Sequence, residues 1–280
     1  MFFLALVLLL AIVLAIFKAY RNTFDVTIRQ VEVSVDLPKG KELRILHLSD
    51  MHFENLSISP EALFARIKGL DVDLIALTGD QLERKRNIAP FMEYIKVLKR
   101  LNPPYGIYVI FGNHDYIMRK ENLKLFRKTL EEHGCIVMQN ENKALNIEGV
   151  NVNIIGIDDY STRRSDIQKS YKGIKDGINL VLTHDPNLVL NMKDHHFDYL
   201  LSGHFHGGQI HWPKPYHLAK MGKLARMKII RGLHYIDGRP FYISEGLGQT
   251  GVKIRAGTRP EITIHRLKGA KLQKELSAAV

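Results

Sequence analysis

ELRILHLSD, residues 42–50, is the stretch from which the rest of the chain is read. Its apolar run has the length of a buried strand and stops at Ser49 and Asp50, which predicts a strand delivering a carboxylate at its carboxyl end. The same pattern recurs. DLIALTGD (73–80) ends at Asp80, and YGIYVIFGNHD (105–115) runs into Asn113, His114 and Asp115. INLVLTHDP (178–186) reaches His184, and FDYLLSGHFH (197–206) reaches His204 and His206. Open α/β sheets gather their ligands at the carboxyl ends of strands, so these distant residues are expected to meet there.

Helical patterns fill the gaps of the first half: one from Ser59 or Pro60, a second over 88–100 and a charged third over 119–133. The second half reads as closely spaced strands, KALNIEG (143–149) and VNIIGIDD (152–159) among them, with late strands in FYISEG (241–246) and PEITIHRL (260–267). Alternating strand and helix followed by a sheet-rich half is an α/β organisation. No fixed-period repeat interrupts it. The simplest division is an N-terminal anchor over 1–20, a connecting segment over 21–42, one domain over 43–267 and a tail over 268–280 that reads as a loose helix. The connecting segment carries a short alternating strand, VTIRQVEVSV (26–35).

The composition is that of a folded globular protein, with 45% hydrophobic and 25% charged residues. A single cysteine, Cys135, removes any disulfide framework and any all-cysteine metal site. Residues 1–17, MFFLALVLLLAIVLAIF, carry no charge, and Lys18 and Arg21 follow. A helix of that length rises about 25 Å, the lower limit for crossing a bilayer. Positive charge after the apolar run favours a retained anchor in the inner membrane with the domain on the cytoplasmic side; an exported domain or a buried helix are the alternatives. The net charge of +11 beside such an anchor favours anionic lipid over nucleic acid as partner.

Each polar motif is weak alone. Imidazole and carboxylate are nonetheless the ligands that manganese, iron and zinc share, and the glycines of GHFHGG (203–208) let the backbone turn tightly around two histidines. The order D-x-H at Asp50 and His52, G-D at Asp80, G-N-H-D at 112–115, His184 and G-H-F-H at 203–206 resembles the calcineurin-like metallophosphoesterases. GHFHGGQIHWP (203–213), GLGQTG (246–251) and TRPEITIHRL (258–267) are similar to the small membrane-associated bacterial phosphodiesterases of that family.

The resemblance implies a four-layer αββα sandwich and two divalent metal ions, manganese first, with iron or zinc as alternatives. It implies that Asp50, His52, Asp80 and His206 hold one ion and that Asp80, Asn113, His184 and His204 hold the other, with Asp80 as bridge. A hydroxide activated between the ions would attack phosphorus, and His114 would protonate the leaving oxygen or stabilise its charge. Asp115 either orients His114 or caps the turn before Tyr116; Asp185 either orients an imidazole or caps before Pro186. Asp158 and Asp159 read as a solvated turn, and His195 and His196 as surface residues.

The implied activity is phosphodiester or pyrophosphate hydrolysis on a phosphorylated lipid or nucleotide-linked substrate. The family includes membrane-associated hydrolases of UDP-2,3-diacylglucosamine in lipid A synthesis. A general small-molecule phosphodiesterase, a nuclease and a non-catalytic membrane scaffold are the alternatives. Residues 212–232 are either a helix packed on the core or a basic amphipathic lip resting on lipid, with Trp212 and Tyr216 at the interface.

Overall fold

The computed structural model describes residues 1–147, 149–211 and 214–269, without the side chains of residues 216 and 217. The expected helix of the tail and the interfacial Trp212 lie outside the described residues.

An apolar helix, α1 (Phe2–Arg21), stands away from the body with nearly all of its side chains exposed, which removes the buried-helix alternative. Six strands build a first sheet: β1 (Thr27–Val35), β2 (Glu42–Leu48), β3 (Leu74–Thr78), β4 (Ile107–Ile110), β5 (Cys135–Met138) and the late β12 (Glu261–Gly269), in the order β1-β12-β2-β3-β4-β5. The expected connecting segment therefore supplies an edge strand, in parallel register with β12 from Thr27↔Glu261 to Val35↔Gly269. A second sheet takes β6 (Glu141–Ile147), β7 (Val150–Gly156), β8 (Ile178–Leu182), β9 (Tyr199–Ser202), β10 (Gly232–Ile236) and β11 (Arg239–Ile243), in the order β10-β11-β9-β8-β7-β6.

Strands β2 to β5 are parallel and joined through helices α2 (Pro60–Ile67), α3 (Ile88–Lys99) and α4 (Lys120–Glu132). Ser59 starts α2 by accepting a hydrogen bond from the Ala62 amide, and Pro60 occupies the first turn, where a missing amide costs nothing. Helix α4 is charged on one side and inserts Phe126 and Leu130 on the other. These helices and the outer face of the first sheet enclose one apolar layer, including Leu46, Ile75, Phe91 and Phe126. A second layer joins the sheets through Ile45, Ala76, Tyr108, Ile154, Leu180 and Leu201.

The four layers are those of an αββα sandwich, but its fourth is thin. The outer face of the second sheet is covered by short helical segments, α5 (Ile167–Ser170), α6 (Lys223–Arg226) and 3₁₀ segments at Pro186–Asn191 and Tyr216–Lys220. Leu188, Leu218 and Leu224 seal that face. Leu218 and Leu224 thus point inward, as the core-packing alternative expects of these two residues, while Lys220, Lys223, Arg226 and Lys228 stay in solvent.

Candidate metal centre

Strand register assembles the site. Leu48 pairs with Leu77, Thr78 with Ile110 and Leu182 with Leu201, so neighbouring strands stop level with one another and their next residues emerge at one rim. Asp50, His52, Asp80, His184, His204 and His206 are all buried there. Five of them leave their strands with left-handed backbone: Asp50 (φ 50), His52 (φ 38), Asp80 (φ 56), His204 (φ 75) and His206 (φ 49). Such backbone costs about 1–3 kcal/mol per non-glycine residue and collects where function holds it in place. At Gly203 close approach is the constraint, because a Cβ there would lie 1.9 Å from Ser49 Oγ and 2.2 Å from Asp50 Oδ2.

The side chains converge in two buried clusters that could each hold a metal ion, Asp50–His52–His206 and Asp80–His184–His204, and a third such group, His52–Asp80–His114, links the two and takes in the half-buried His114 ring. His52 Nε2 lies 3.1 Å from His206 Nε2, and His206 Nε2 lies 3.3 Å from Asp50 Oδ1. In the second cluster His184 Nε2 is 3.1 Å from Asp80 Oδ2 and 3.2 Å from His204 Nδ1. Asp80 Oδ2 is also 3.5 Å from His52 Nε2, so one carboxylate oxygen faces both clusters. Its other oxygen is held by the His114 amide at 2.8 Å.

Electrostatics and hydrogen bonding fit divalent cations. The Nδ1 of His184 has the Thr78 carbonyl as its partner at 2.8 Å, which makes that nitrogen the donor and turns the Nε2 lone pair toward Asp80 and His204. Facing acceptors of this kind need a proton or a cation between them. Burial works against charge on Asp80, but His184 and His52 outweigh it and keep the carboxyl below its usual range. Burial also opposes charge on His184, yet Asp80 holds its pKa well above the ordinary value, as a cation between them would replace a proton. Burial lowers His206 and His204, and His52 falls to about 3, so all three present neutral, ligating rings. Asn113 Oδ1 is buried without a hydrogen-bond partner, an orphaned oxygen that suits a metal.

The sequence profile of the family described as "Calcineurin-like phosphoesterase" matches residues 43–208. The chain belongs to this family. It is similar to the uncharacterised metallophosphoesterase YkoQ of Bacillus subtilis (strain 168), 58% identical over 90% of this chain and 94% of that protein. It is 27% identical to the UDP-2,3-diacylglucosamine pyrophosphatase LpxG of Chlamydia muridarum (strain MoPn / Nigg), over 80% of this chain and 83% of that one. The crystal structure of phosphopantetheinyl hydrolase PptH from Mycobacterium tuberculosis overlays with a TM-score of 0.45 and 13% identity, over 74% of this chain and 90% of that chain. With two ligand clusters and the family domain, this calcineurin-like phosphoesterase is a metal-dependent hydrolase.

Around the clusters this phosphoesterase differs from sequence expectation at several places. Asp115 does not touch the His114 ring: its buried carboxylate accepts the amides of Asp80, Gln81, Leu82 and Gly112, pinning two strand-end turns together. The partner of His114 is Glu83, whose Oε1 lies 2.5 Å from Nδ1. Glu83 escaped sequence reading because a glutamate in a polar turn carries no local mark of a partner 31 residues away. Asp158 and Asp159 are buried, which corrects the solvated turn: Tyr116 donates to Asp158, and Ser161 and the Thr162 amide donate to Asp159. Asp185 caps the turn at Pro186 by accepting from the Asn187 amide. His196 is exposed and His195 half-buried against Tyr171, as surface residues.

Arg255 is the other residue that was not foreseen. Fully buried, it donates to the carbonyls of Glu245, Gly246, Gly248 and Arg259, and burial lowers its pKa only to about 10, so it remains a cation. The loop it holds reaches the site, where the Leu247 and Gly248 amides donate to the Ser49 and Asp50 carbonyls. Its own amide donates to Ala19 at the end of α1. On the opposite flank, a cavity of about 900 Å³ opens beside His204, with Arg163, Asp185, Lys220, Lys223 and Arg226 in its walls.

Proposed function

We propose that the chain hydrolyses a phosphodiester or pyrophosphate presented at a membrane, with UDP-2,3-diacylglucosamine as the leading substrate. The observation that carries the reading is the pair of clusters that both face Asp80, with His204 of the second cluster also lining a basic cavity. In this reading Asp50, His52, Asp80 and His206 hold one ion, and Asp80, Asn113, His184 and His204 the other, with manganese the first choice for this mixed nitrogen and oxygen set. The two ions, when bound, neutralise phosphate charge and lower the pKa of water.

The chain's own residues do the rest. His114, whose Nδ1 donates to Glu83, has Nε2 without a hydrogen bond among the described residues; in the doubly protonated ring the Nε2 proton passes to the leaving oxygen, leaving the neutral ring bonded to Glu83. Asp115 acts through the backbone, keeping the turns of Asp80 and Gly112 together, and is a positioning residue.

The membrane assignment has two supports. Helix α1 is long and apolar enough to cross a bilayer and is only 6% buried over its most apolar window. Lys18 and Arg21 at its end favour a cytoplasmic catalytic domain at the inner membrane. The pyrophosphatase LpxG, similar over most of both chains, supports the substrate.

The test uses full-length, detergent-solubilised, manganese-loaded protein with UDP-2,3-diacylglucosamine, bis-p-nitrophenyl phosphate and p-nitrophenyl phosphate. UMP release from the lipid is expected, with the monoester the poorest substrate. Turnover of the diester alone would keep the enzyme class and remove the lipid assignment. Failure on all three with metal bound would overturn the reading.

A further inference from the structure

We infer that the cavity beside His204 is a subsite for a second phosphate, so that the substrate class is a diphosphate ester and not a singly charged diester. The inference rests on the metal centre being the phosphate-cleaving site proposed above.

Four cations, Arg163, Lys220, Lys223 and Arg226, line this one cavity, and none has a side-chain hydrogen bond or ion pair among the described residues. Elsewhere on the surface many cations are spoken for: Arg44 pairs with Asp71 and Asp73, Arg266 with Glu42, and Arg127 with Glu131. The carboxylate in the cavity wall is Asp185, whose Oδ1 is occupied by the Asn187 amide and side-chain nitrogen. Four positive side chains against this one carboxylate leave the cavity positive. Opposing phosphate is the ordinary answer to such a cluster, since charge-assisted bonds from Arg and Lys to phosphate are among the stronger hydrogen bonds.

The cationic heads are free, but their backbone is not. Asn187 Nδ2 donates to the Met221 carbonyl at 2.8 Å, and Asn187 Oδ1 accepts the Leu224 amide at 3.0 Å, which clamps the turn that carries Lys220, Lys223 and Arg226. Leu224 anchors the same turn in the apolar layer. Arg163 sits on the turn tied by Asp159 through Ser161 and Thr162. Two fixed walls thus present cations to a space of about 900 Å³, the size of one nucleotide-scale ligand. A strand of nucleic acid would call for cations spread along an open groove instead.

The cavity adjoins the second ligand cluster. His204 belongs both to the second ligand cluster and to the cavity wall, so a phosphate over the clusters and a group in the cavity are adjacent parts of one molecule. A diphosphate meets this demand with its two neighbouring anionic phosphates.

The experiment measures binding of UDP and UMP to the manganese-loaded, solubilised full chain by calorimetry, in wild type, in the double variant Lys223→Gln/Arg226→Gln and in Lys228→Gln, with Lys228 as an exposed cation outside this cavity. Wild type should bind UDP about ten-fold or more tighter than UMP, and the double variant should lose most of that ratio, while Lys228→Gln keeps it. Equal affinity for the two nucleotides in wild type, or an unchanged ratio in the double variant, would overturn the subsite. So would displacement of UDP by a short oligonucleotide at equal phosphate concentration. Wild-type turnover of bis-p-nitrophenyl phosphate is read in parallel: its absence, along with that of the other phosphoesters, counts against the proposed function, whereas the nucleotide ratio alone decides the subsite.

Discussion

The two flanks of the metal centre use the same side chains and are supported in opposite ways. On the Asp50–His52–His206 flank the supports are internal: the buried Arg255 ties four carbonyls into one loop, that loop donates to Ser49 and Asp50, and Gln209 grips it again through Thr250 and Val252. This flank continues into the end of α1, where Asn22 donates to the Arg255 carbonyl. On the Asp80–His184–His204 flank the backing is the polar interior between the sheets, and the front is open to the cationic cavity. One flank is a buttress joined to the apolar helix; the other opens onto a cavity.

Asp80 belongs to both flanks, so its loss should be the most damaging. Asp80→Ala is expected to abolish binding of both ions and to lower phosphodiester turnover by about 10³-fold or more, the scale of losing several kcal/mol of metal assistance. Manganese content by atomic absorption, measured beside activity, checks it. Retention of one full equivalent of metal would show that the two flanks do not share this carboxylate.

Next come His114 and Glu83. His114→Ala should cost about 10²-fold to 10⁴-fold in kcat, the usual worth of a positioned proton donor. Glu83→Gln keeps the shape and removes the charge that fixes Nδ1; a smaller loss, about ten-fold, is expected, together with an alkaline limb of the pH profile moved to lower pH, because a proton donor without its carboxylate gives up its proton sooner. A profile unchanged in Glu83→Gln would mean that the contact is only structural.

Arg255 tests the buttress itself. Arg255→Met removes four charge-assisted bonds from a fully buried position and should cost about 3 kcal/mol of stability or more by urea denaturation. Because its loop supports Asp50 and not His184, one manganese-binding step should weaken while the other is kept. Equal weakening of both steps would erase the distinction between the flanks.

These residues also mark how far the sequence could be read. Asp50, Asp80, Asn113, His184 and His204 were visible because each follows an apolar run long enough to be a strand, and the end of a buried strand is a position that a sequence pattern exposes. Glu83 and Arg255 were hidden because their meaning lies in partners distant along the chain. An arginine between Ile254 and Ala256 looks like surface until its acceptors are seen to be carbonyls inside the fold. The four-residue β5 and the five-residue β10 were too short to carry a period, and Lys and Arg on α6 do not reveal that Leu224 turns inward.

The smallest effect concerns the interior behind the open flank. His47 bonds Thr78 Oγ1 at 2.7 Å and faces His265 Nε2 at 3.2 Å, while His265 Nδ1 meets the Tyr199 hydroxyl at 2.8 Å; Tyr242 packs edge-on against both rings. Burial holds His47 at about 3 and His265 well below its ordinary value, with His47 adding to the depression of His265. Folded pKa values below the unfolded value, about 6.5 for histidine, mean that the unfolded chain takes up protons in this window that the folded chain refuses. Their contribution is therefore complete above about pH 6.5 and is lost as pH falls toward 3, with a slope of at most about 1.4 kcal/mol per pH unit for each ring. His265→Gln in the metal-loaded protein should have a lower melting temperature at pH 7.5 but a shallower decline between pH 7 and pH 5. A decline as steep as that of wild type would place the acid sensitivity at the metal centre instead, and the two flanks would then differ in access but not in what holds them.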